Sequence, residues 1–294
     1  QRKMCIKKVK KKYWRTETKF GIRLPHSVEE ALQLDDENGN HLWRDAIKKE
    51  MAKAQISYKQ VEGNPSPEDV RRNKVNALRG FQEIKNHIIF DVKMDFTRKA
   101  RYVAGGHLTD APTSLTYSSV VGRDSVKIAF MLAAHNELDL LSCDIGNAYL
   151  NAPCRERIWF VGGPETGPDN HGKVLTLERA LYGLKTSGAS WRNMFSKFII
   201  NDLKFKSTSA DPDVYLRRAK RKDGTEYYEM LLVYVDDVLC ISEDPMTIMK
   251  MIGDQFDIKN NEIIPPKMYL GGGIEKKTLF DDKHKKVGDF WTMD

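Results

Sequence analysis

Two adjacent aspartates interrupt the most apolar part of this 294-residue chain: Met230–Val235 leads into Asp236-Asp237, and Val238–Ile241 follows. Burying paired carboxylates costs several kcal/mol per ion. They therefore either sit at an exposed hairpin tip, where aspartate is a common turn residue, or share cations that cancel their charge. Magnesium favours hard oxygen ligands and takes one or two carboxylates together with substrate phosphates. Asp-Asp alone leaves such a site short of ligands, so a third carboxylate has to come from elsewhere. Asp144 is the candidate. It ends the largely apolar stretch Leu138–Cys143 and is followed by Ile145-Gly146-Asn147-Ala148-Tyr149. Alone, an aspartate at a strand end reads as a cap or turn residue. With the Asp-Asp hairpin it completes a set suited to two metals about 3.5–4 Å apart, which serve in-line phosphoryl displacement.

Other chemistries find less support. Gly167-Pro168-Asp169-Asn170-His171-Gly172-Lys173 has the spacing of a phosphate-binding loop. A working loop continues with Ser or Thr and is fed directly by a strand. Here Val174 follows and Pro168 stiffens the middle, so the segment reads as a surface turn. The seven histidines are scattered. Cys5, Cys143, Cys154 and Cys240 form no close-spaced pair. That leaves no zinc framework and no disulfide framework, and a reducing compartment is the default.

The carboxylates need elements to carry them. Met230–Val235 and Val238–Ile241 read as a buried hairpin with Asp236-Asp237 as its turn, and Leu138–Leu141 as a strand ending near Asp144. Helices are expected over Ser27 to about Gln33, where Ser27 and Glu30 have capping-box spacing, and after an Asp35–Asn40 turn through Leu42, Trp43, Ala46, Ile47, Met51 and Ala54. Further helices are expected over Asp124–Glu137, with Val126, Ile128, Ala129, Leu132 and Ala133 apolar, over Ser187–Leu203, and over 245–256. In Ser187–Leu203 the stripe Trp191, Phe195, Phe198, Ile199 and Leu203 reads as core rather than a base-stacking platform. Loosely alternating residues from Val75 to Phe90 suit strands of an exposed sheet. Residues 162–174 form a loop, Met268–Gly273 a strand, and the last twenty residues close no evident core. With no regular βαβ rhythm, the class is α+β.

Charge is unevenly placed. The chain carries a formal +7, yet residues 1–15 hold eight basic residues and no acid, and the rest is neutral to within one charge. The basic run reads as a solvated linker, with nuclear localisation or phosphate binding as sharper alternatives. A nucleic-acid site in the body must be local, and residues 71–107, with nine basic against three acidic side chains, supply such a patch. An ordinary charged hairpin surface is its plain alternative. No stretch approaches the roughly 18 apolar residues that span a bilayer, and no apolar leader follows the basic start, so neither a membrane nor a secreted protein is expected.

An aspartate followed far downstream by a strand–Asp-Asp–strand hairpin is the arrangement of palm-type polymerases. Tyr234-Val235-Asp236-Asp237, with Asp144-Ile-Gly-Asn-Ala-Tyr-Leu-Asn-Ala152 ahead of it, resembles a reverse transcriptase. The intervening Leu181-Tyr182-Gly183-Leu184-Lys185-Thr-Ser-Gly-Ala-Ser-Trp191 narrows the resemblance to copia-type retrotransposon polymerases. Trp43, Ala46 and Glu50 match that family's amino-terminal helix, and Arg98–Gly106 its basic fingers strand. Tyr117–Val121 resembles the segment before its next helix, and Tyr269-Leu-Gly-Gly272 the strand beyond the catalytic hairpin.

The resemblance implies an RNA-directed DNA polymerase of right-hand fold with an antiparallel palm sheet. Residues 1–25 would be a linker, about 26–120 fingers, and about 121–275 palm with a fingers-like insertion near 155–190. Residues 276–294 would begin a thumb or connection that is otherwise missing. Asp144, Asp236 and Asp237 would be catalytic and hold two Mg2+, with Mn2+ as a substitute. Asp237 is the weakest ligand, because neighbours on a strand point to opposite faces. Tyr149 would be a steric gate against ribose. Arg101, with Lys99 or Arg98, would meet the triphosphate, and Gly183 and Lys185 would line the template–nucleotide pocket; a turn capping the Ser187 helix is their plain reading. Partners would be an RNA or DNA template with primer, deoxynucleoside triphosphates and other Pol segments, without a membrane. The expected place is the cytoplasm, within virus-like particles, with nuclear access as a further option. No Asp-Thr-Gly or Asp-Ser-Gly protease signature, integrase zinc cluster or room for ribonuclease H is found. A non-catalytic remnant that only binds nucleic acid is the alternative.

Overall fold

The computed structural model describes residues 18–293; the basic run at 1–15 lies outside them. A small hairpin, β1 (Thr18–Lys19) and β2 (Ile22–Arg23), comes first. Ser27 then caps α1 (Val28–Glu37), its hydroxyl accepting the Glu30 amide at 3.1 Å. The Glu30 carboxylate reaches one residue further back than a capping box predicts and accepts the His26 amide at 2.8 Å. Asp35-Asp36-Glu37, expected as turn, remain helical. Asp35 is fully buried, and its carboxylate accepts the amides of Trp43 (3.0 Å) and Arg44 (2.8 Å), so it caps the next helix, α2 (Leu42–Ala54). That helix buries Trp43, Ile47, Met51 and Ala54 and leaves Leu42 exposed.

The chain continues through β3 (Tyr58–Gln60), α3 (Pro67–Arg71), β4 (Gln82–Glu83), β5 (Asn86–Val92) and β6 (Arg98–Ala104). Strand structure thus starts later than Val75, because Asn76–Leu78 close a 3-10 turn. Next come α4 (Arg123–His135), β7 (Asp139–Asp144), α5 (Ala148–Asn151), β8 (Ile158–Val161), β9 (Val174–Leu177) and α6 (Ser187–Asn201). Helix α4 buries Val126, Ala129, Phe130 and Ala133 at helical spacing; Ile128 and Leu132, also apolar, fall on the neighbouring exposed side. The remaining elements are β10 (Lys206–Ser207), β11 (Val214–Lys220), β12 (Glu226–Tyr234), β13 (Asp237–Ser242), α7 (Pro245–Gln255), β14 (Met268–Tyr269), β15 (Gly272–Phe280) and β16 (Lys286–Met293).

These elements form two compact units, one running to Ser114 and resuming at Pro153–Ser187, the other comprising Leu115–Ala152 and everything from Gly188. The first unit holds the sheet β3-β9-β8-β4, with β4 and β8 parallel, and the β5-β6 hairpin. The phosphate-loop look-alike at 167–173 connects β8 to β9, so a strand follows it where a phosphate site needs a helix. The second unit is built on an antiparallel sheet, β10-β11-β12-β13-β7. Its core joins Leu140, Leu232, Leu239 and Ile241 from that sheet to Val126, Phe130 and Ala133 of α4.

The carboxy-terminal residues differ from expectation. Leu270 and Gly271, at φ 49° and 86°, turn the expected single strand into a hairpin. Strands β15 and β16 then pair, Ile274 is buried, and Trp291 packs against the α4 core. The charged residues hid this closure because they alternate with the few apolar side chains that make it. Cys143, Cys154 and Cys240 are free thiols. Among the described residues no helix is long and apolar enough to cross a membrane.

Candidate active site

The central hairpin turns one residue earlier than Asp236-Asp237. Tyr234 pairs with Asp237, and Val235-Asp236 form a two-residue turn with Val235 at φ 59°. This register sets Val233 against Val238 and Leu232 against Leu239, all buried. A shift by one residue would send every side chain of β13 to the opposite face. Asp237 therefore begins β13 as a ladder residue.

The neighbouring strand then decides the site. Strand β7 pairs with β13 so that Asp144 is the direct partner of Asp237, each at the end of its strand. The Ile145 amide donates to the Asp236 carbonyl at 2.8 Å, tying the turn to the end of β7. Burial, then the charges of Asp236 and Asp144, push the Asp237 carboxyl up from 3.8 to about 6. Lys259 pulls it the other way, and its ammonium pairs with Asp144. A cavity of about 230 Å³ opens beside Asp144 and Asp237, with Lys259, Glu262 and Tyr269 among its lining residues.

The donor chemistry suits a hard divalent cation: carboxylate oxygens in excess over positive charge. The described residues contain no preformed cluster of three or more His, Cys, Asp or Glu side chains able to hold a metal. The cation that the structure does supply to Asp144 is Lys259.

Tyr149 lies on α5, the short helix that follows Asp144 after Asn147 turns the chain at φ 51°. It is half-buried, and its hydroxyl lies 3.9 Å from where a Cβ on Gly188 would stand. Asp144, Tyr149, Asp236 and Asp237 all belong to the second unit.

The remaining predicted residues belong to the first. Pleating divides the basic residues of β6: Lys99 and Arg101 share one face, while Arg98, Ala100 and Tyr102 share the other. Arg98 lies 5.5 Å over the Trp43 ring and donates to the Phe96 carbonyl at 2.7 Å. Arg101 lies 4.5 Å over the Tyr182 ring. Gly183, at φ 93°, is where the Tyr182 segment meets β6. A Cβ there would stand 2.8 Å from Val103 Cγ1 and collide with the Ala104 carbonyl. Lys185 donates its ammonium to the carbonyls of Thr109 and Asp110. Glu156 holds the same loop, accepting from the Thr186 amide at 3.0 Å and its hydroxyl at 2.9 Å.

Sequence reasoning missed Lys259 and the support of the turn by Trp191, whose indole donates to the Val235 carbonyl at 2.7 Å. A lone lysine in Asp257-Ile258-Lys259 gave no signal. A buried tryptophan needs an acceptor for its N–H, which was a usable clue. Glu50, named only as a match, accepts the Tyr102 amide at 2.9 Å and so ties α2 to β6.

Comparison with known proteins places the chain among relatives. A family model described as reverse transcriptase (RNA-dependent DNA polymerase) matches residues 73–280. The retrovirus-related Pol polyprotein from transposon TNT 1-94 of Nicotiana tabacum is 30% identical over 270 residues, covering 87% of this chain and 18% of that protein. The truncated transposon Ty1-A Gag-Pol polyprotein of Saccharomyces cerevisiae is 29% identical over 181 residues, 60% of this chain and 14% of its own length. The transposon Ty1-NL2 Gag-Pol polyprotein of the same yeast matches with the same identity over the same number of residues, 10% of its length. The chain thus spans less than a fifth of each of these polyproteins.

Proposed function

The chain belongs to the reverse transcriptase (RNA-dependent DNA polymerase) family of copia-type retrotransposons, and on that premise we propose that it is the nucleotidyl-transfer domain of a longer Pol polyprotein. Its reaction is transfer of deoxynucleotides from their triphosphates to a primer 3′-hydroxyl, directed by an RNA or DNA template. The observation that carries this reading is the pairing of Asp144 with Asp237 beside the turn that holds Asp236.

In this reading Asp144, Asp236 and Asp237 hold two divalent cations, Mg2+ or Mn2+ in its place. Such ions, when bound, favour loss of the primer hydroxyl proton and neutralise the departing pyrophosphate. The carboxylates anchor them on two strand ends and a turn locked by backbone pairing. Tyr149, five residues after Asp144 in the chain, excludes a ribose 2′-hydroxyl with its ring. Arg101 and Lys99, sharing a face of β6, present positive charge to the triphosphate. Arg98, committed to Trp43, is left out of that role. Gly183 and Lys185 shape the nucleotide pocket. The unit with the five-stranded sheet is the palm, and the other unit the fingers.

A second reading, a remnant that binds nucleic acid without catalysis, is favoured by the ion pair that Lys259 makes with Asp144. Primer extension on poly-rA/oligo-dT with magnesium separates the two. Incorporation by the native chain and none by Asp236→Asn supports the polymerase. Binding without incorporation supports the remnant, and template-independent addition points to a different nucleotidyl transferase.

A further inference from the structure

Val235 is a β-branched residue at φ 59°. Branching at Cβ makes that region a genuine outlier, and two-residue hairpin turns fill it with Asn, Asp or Gly. A residue held there persists only when its surroundings over-determine it. Both carbonyls of the turn are in fact held from outside the hairpin: that of Asp236 by the Ile145 amide at 2.8 Å, and that of Val235 by the Trp191 indole at 2.7 Å.

Trp191 is itself immobilised. It is 1% exposed, stacks on Phe195 at 5.1 Å with the rings 9° apart, and meets Phe256 edge-on at 5.5 Å. The next residue fixes the helix to Asp213, just before β11 and beside β12. Arg192 donates to Asp213 at 2.7 Å, and the Asp213 carbonyl accepts the Val233 amide at 3.0 Å. Helix α6 therefore grips β12 two residues before the turn and again at the turn.

We propose that Trp191 is a positioning residue for the carboxylate site: its indole N–H holds the Val235 carbonyl, keeps the turn in its left-handed conformation and so fixes where Asp236 and Asp237 stand relative to Asp144. The consequence for cation binding rests on the polymerase reading above; the consequence for the turn does not. Packing alone would need an aromatic ring at 191. Positioning needs the donor.

Trp191→Phe separates these, because phenylalanine keeps a ring for the Phe195 stack and removes the N–H. Hydrogen exchange of peptides spanning 230–240, read by mass spectrometry in the full chain, should quicken roughly fivefold, about what one net hydrogen bond is worth, while peptides spanning 214–220 stay unchanged. Manganese titration by calorimetry, with Asp236→Asn as the non-binding control, should show a matching loss of affinity. Adding Val235→Gly, which removes the cost of positive φ, should bring the affinity of the double variant to within about twofold of the Val235→Gly single variant. Unchanged exchange at 230–240, or the same loss with and without Val235→Gly, overturns the proposal. If the native chain binds no manganese, the polymerase reading fails while the exchange result still judges Trp191.

Discussion

Asp237 stands directly opposite Asp144 where β13 begins and β7 ends. Like charges in such cross-strand positions are destabilising, and the third carboxylate, Asp236, adds to the repulsion felt by Asp237. The fold keeps this arrangement by pairing Lys259 with Asp144 and by pinning the turn with Ile145 and Trp191. The cost shows in Asp237, whose carboxyl is pushed up by burial and by the charges of Asp236 and Asp144.

Asp237→Asn should therefore stabilise the cation-free protein. The amide keeps the shape of the carboxylate and removes its charge. A gain of roughly 2–4 °C in thermal midpoint is expected in EDTA at neutral pH, the size that about 1 kcal/mol produces in a domain of this length. Manganese binding should be lost in the same variant. A lower midpoint for Asp237→Asn would mean that the carboxylates are not in conflict.

The same crowding predicts a pH dependence. Asp237 titrates at about 6 in the fold against a usual 3.8. Between those values the native state holds a proton that the unfolded chain has released. Stability from this group therefore declines as pH rises from about 4 to about 6 and changes little above. Urea midpoints in EDTA at several pH values should show the decline, and Asp237→Asn should flatten it. An identical profile for the variant would assign the slope to other groups.

Lys259→Met removes the cation that competes for Asp144. Because both partners are partly solvated, at 53% and 32% side-chain exposure, the pair contributes at most about 1 kcal/mol to stability. Its effect on a divalent ion should be larger in relative terms, since the ion no longer has to displace an ammonium. Manganese affinity is expected to rise about threefold to tenfold by calorimetry, with little change in thermal midpoint. Weaker binding would instead make Lys259 part of the support of the site.

Much of the site was legible because it depends on residue type and long apolar runs. Asp236-Asp237 inside a hairpin follows from the apolar runs on either side, and Asp144 at a strand end from the need for a third carboxylate beside them. The one-residue shift of the turn did not, because Val235 at positive φ contradicts local preference, and the contacts that Ile145 and Trp191 make to the turn come from distant segments. Asp35 shows the same limit: its sequence neighbourhood reads as a turn, yet it is helical because it caps α2 from a distance. The β15–β16 hairpin was hidden by composition, since among its many charged residues Ile274 and Trp291 pack against the core. Of the basic trio, alternation along β6 separates Arg98 from Lys99 and Arg101, but that follows only once the strand's bounds are known.

Gly183 and Gly172 allow backbone conformation to be separated from space. Both have positive φ, 93° and 75°, so alanine at either position pays about 1–2 kcal/mol for a left-handed backbone. Around Gly172 nothing lies within 4 Å of an added Cβ, whereas at Gly183 the added atom meets Val103 Cγ1 at 2.8 Å and the Ala104 carbonyl. The obstacle is main chain of β6, held by the Ala104 amide donating to the Tyr182 carbonyl at 2.8 Å, so it cannot swing aside as a flexible side chain would. Gly183→Ala should therefore cost at least about 2 kcal/mol more than Gly172→Ala. Urea unfolding of the two variants, followed by far-ultraviolet circular dichroism, makes the comparison. Equal losses would show that the Tyr182 segment and β6 can part without penalty, and that the glycine answers only to its backbone angle.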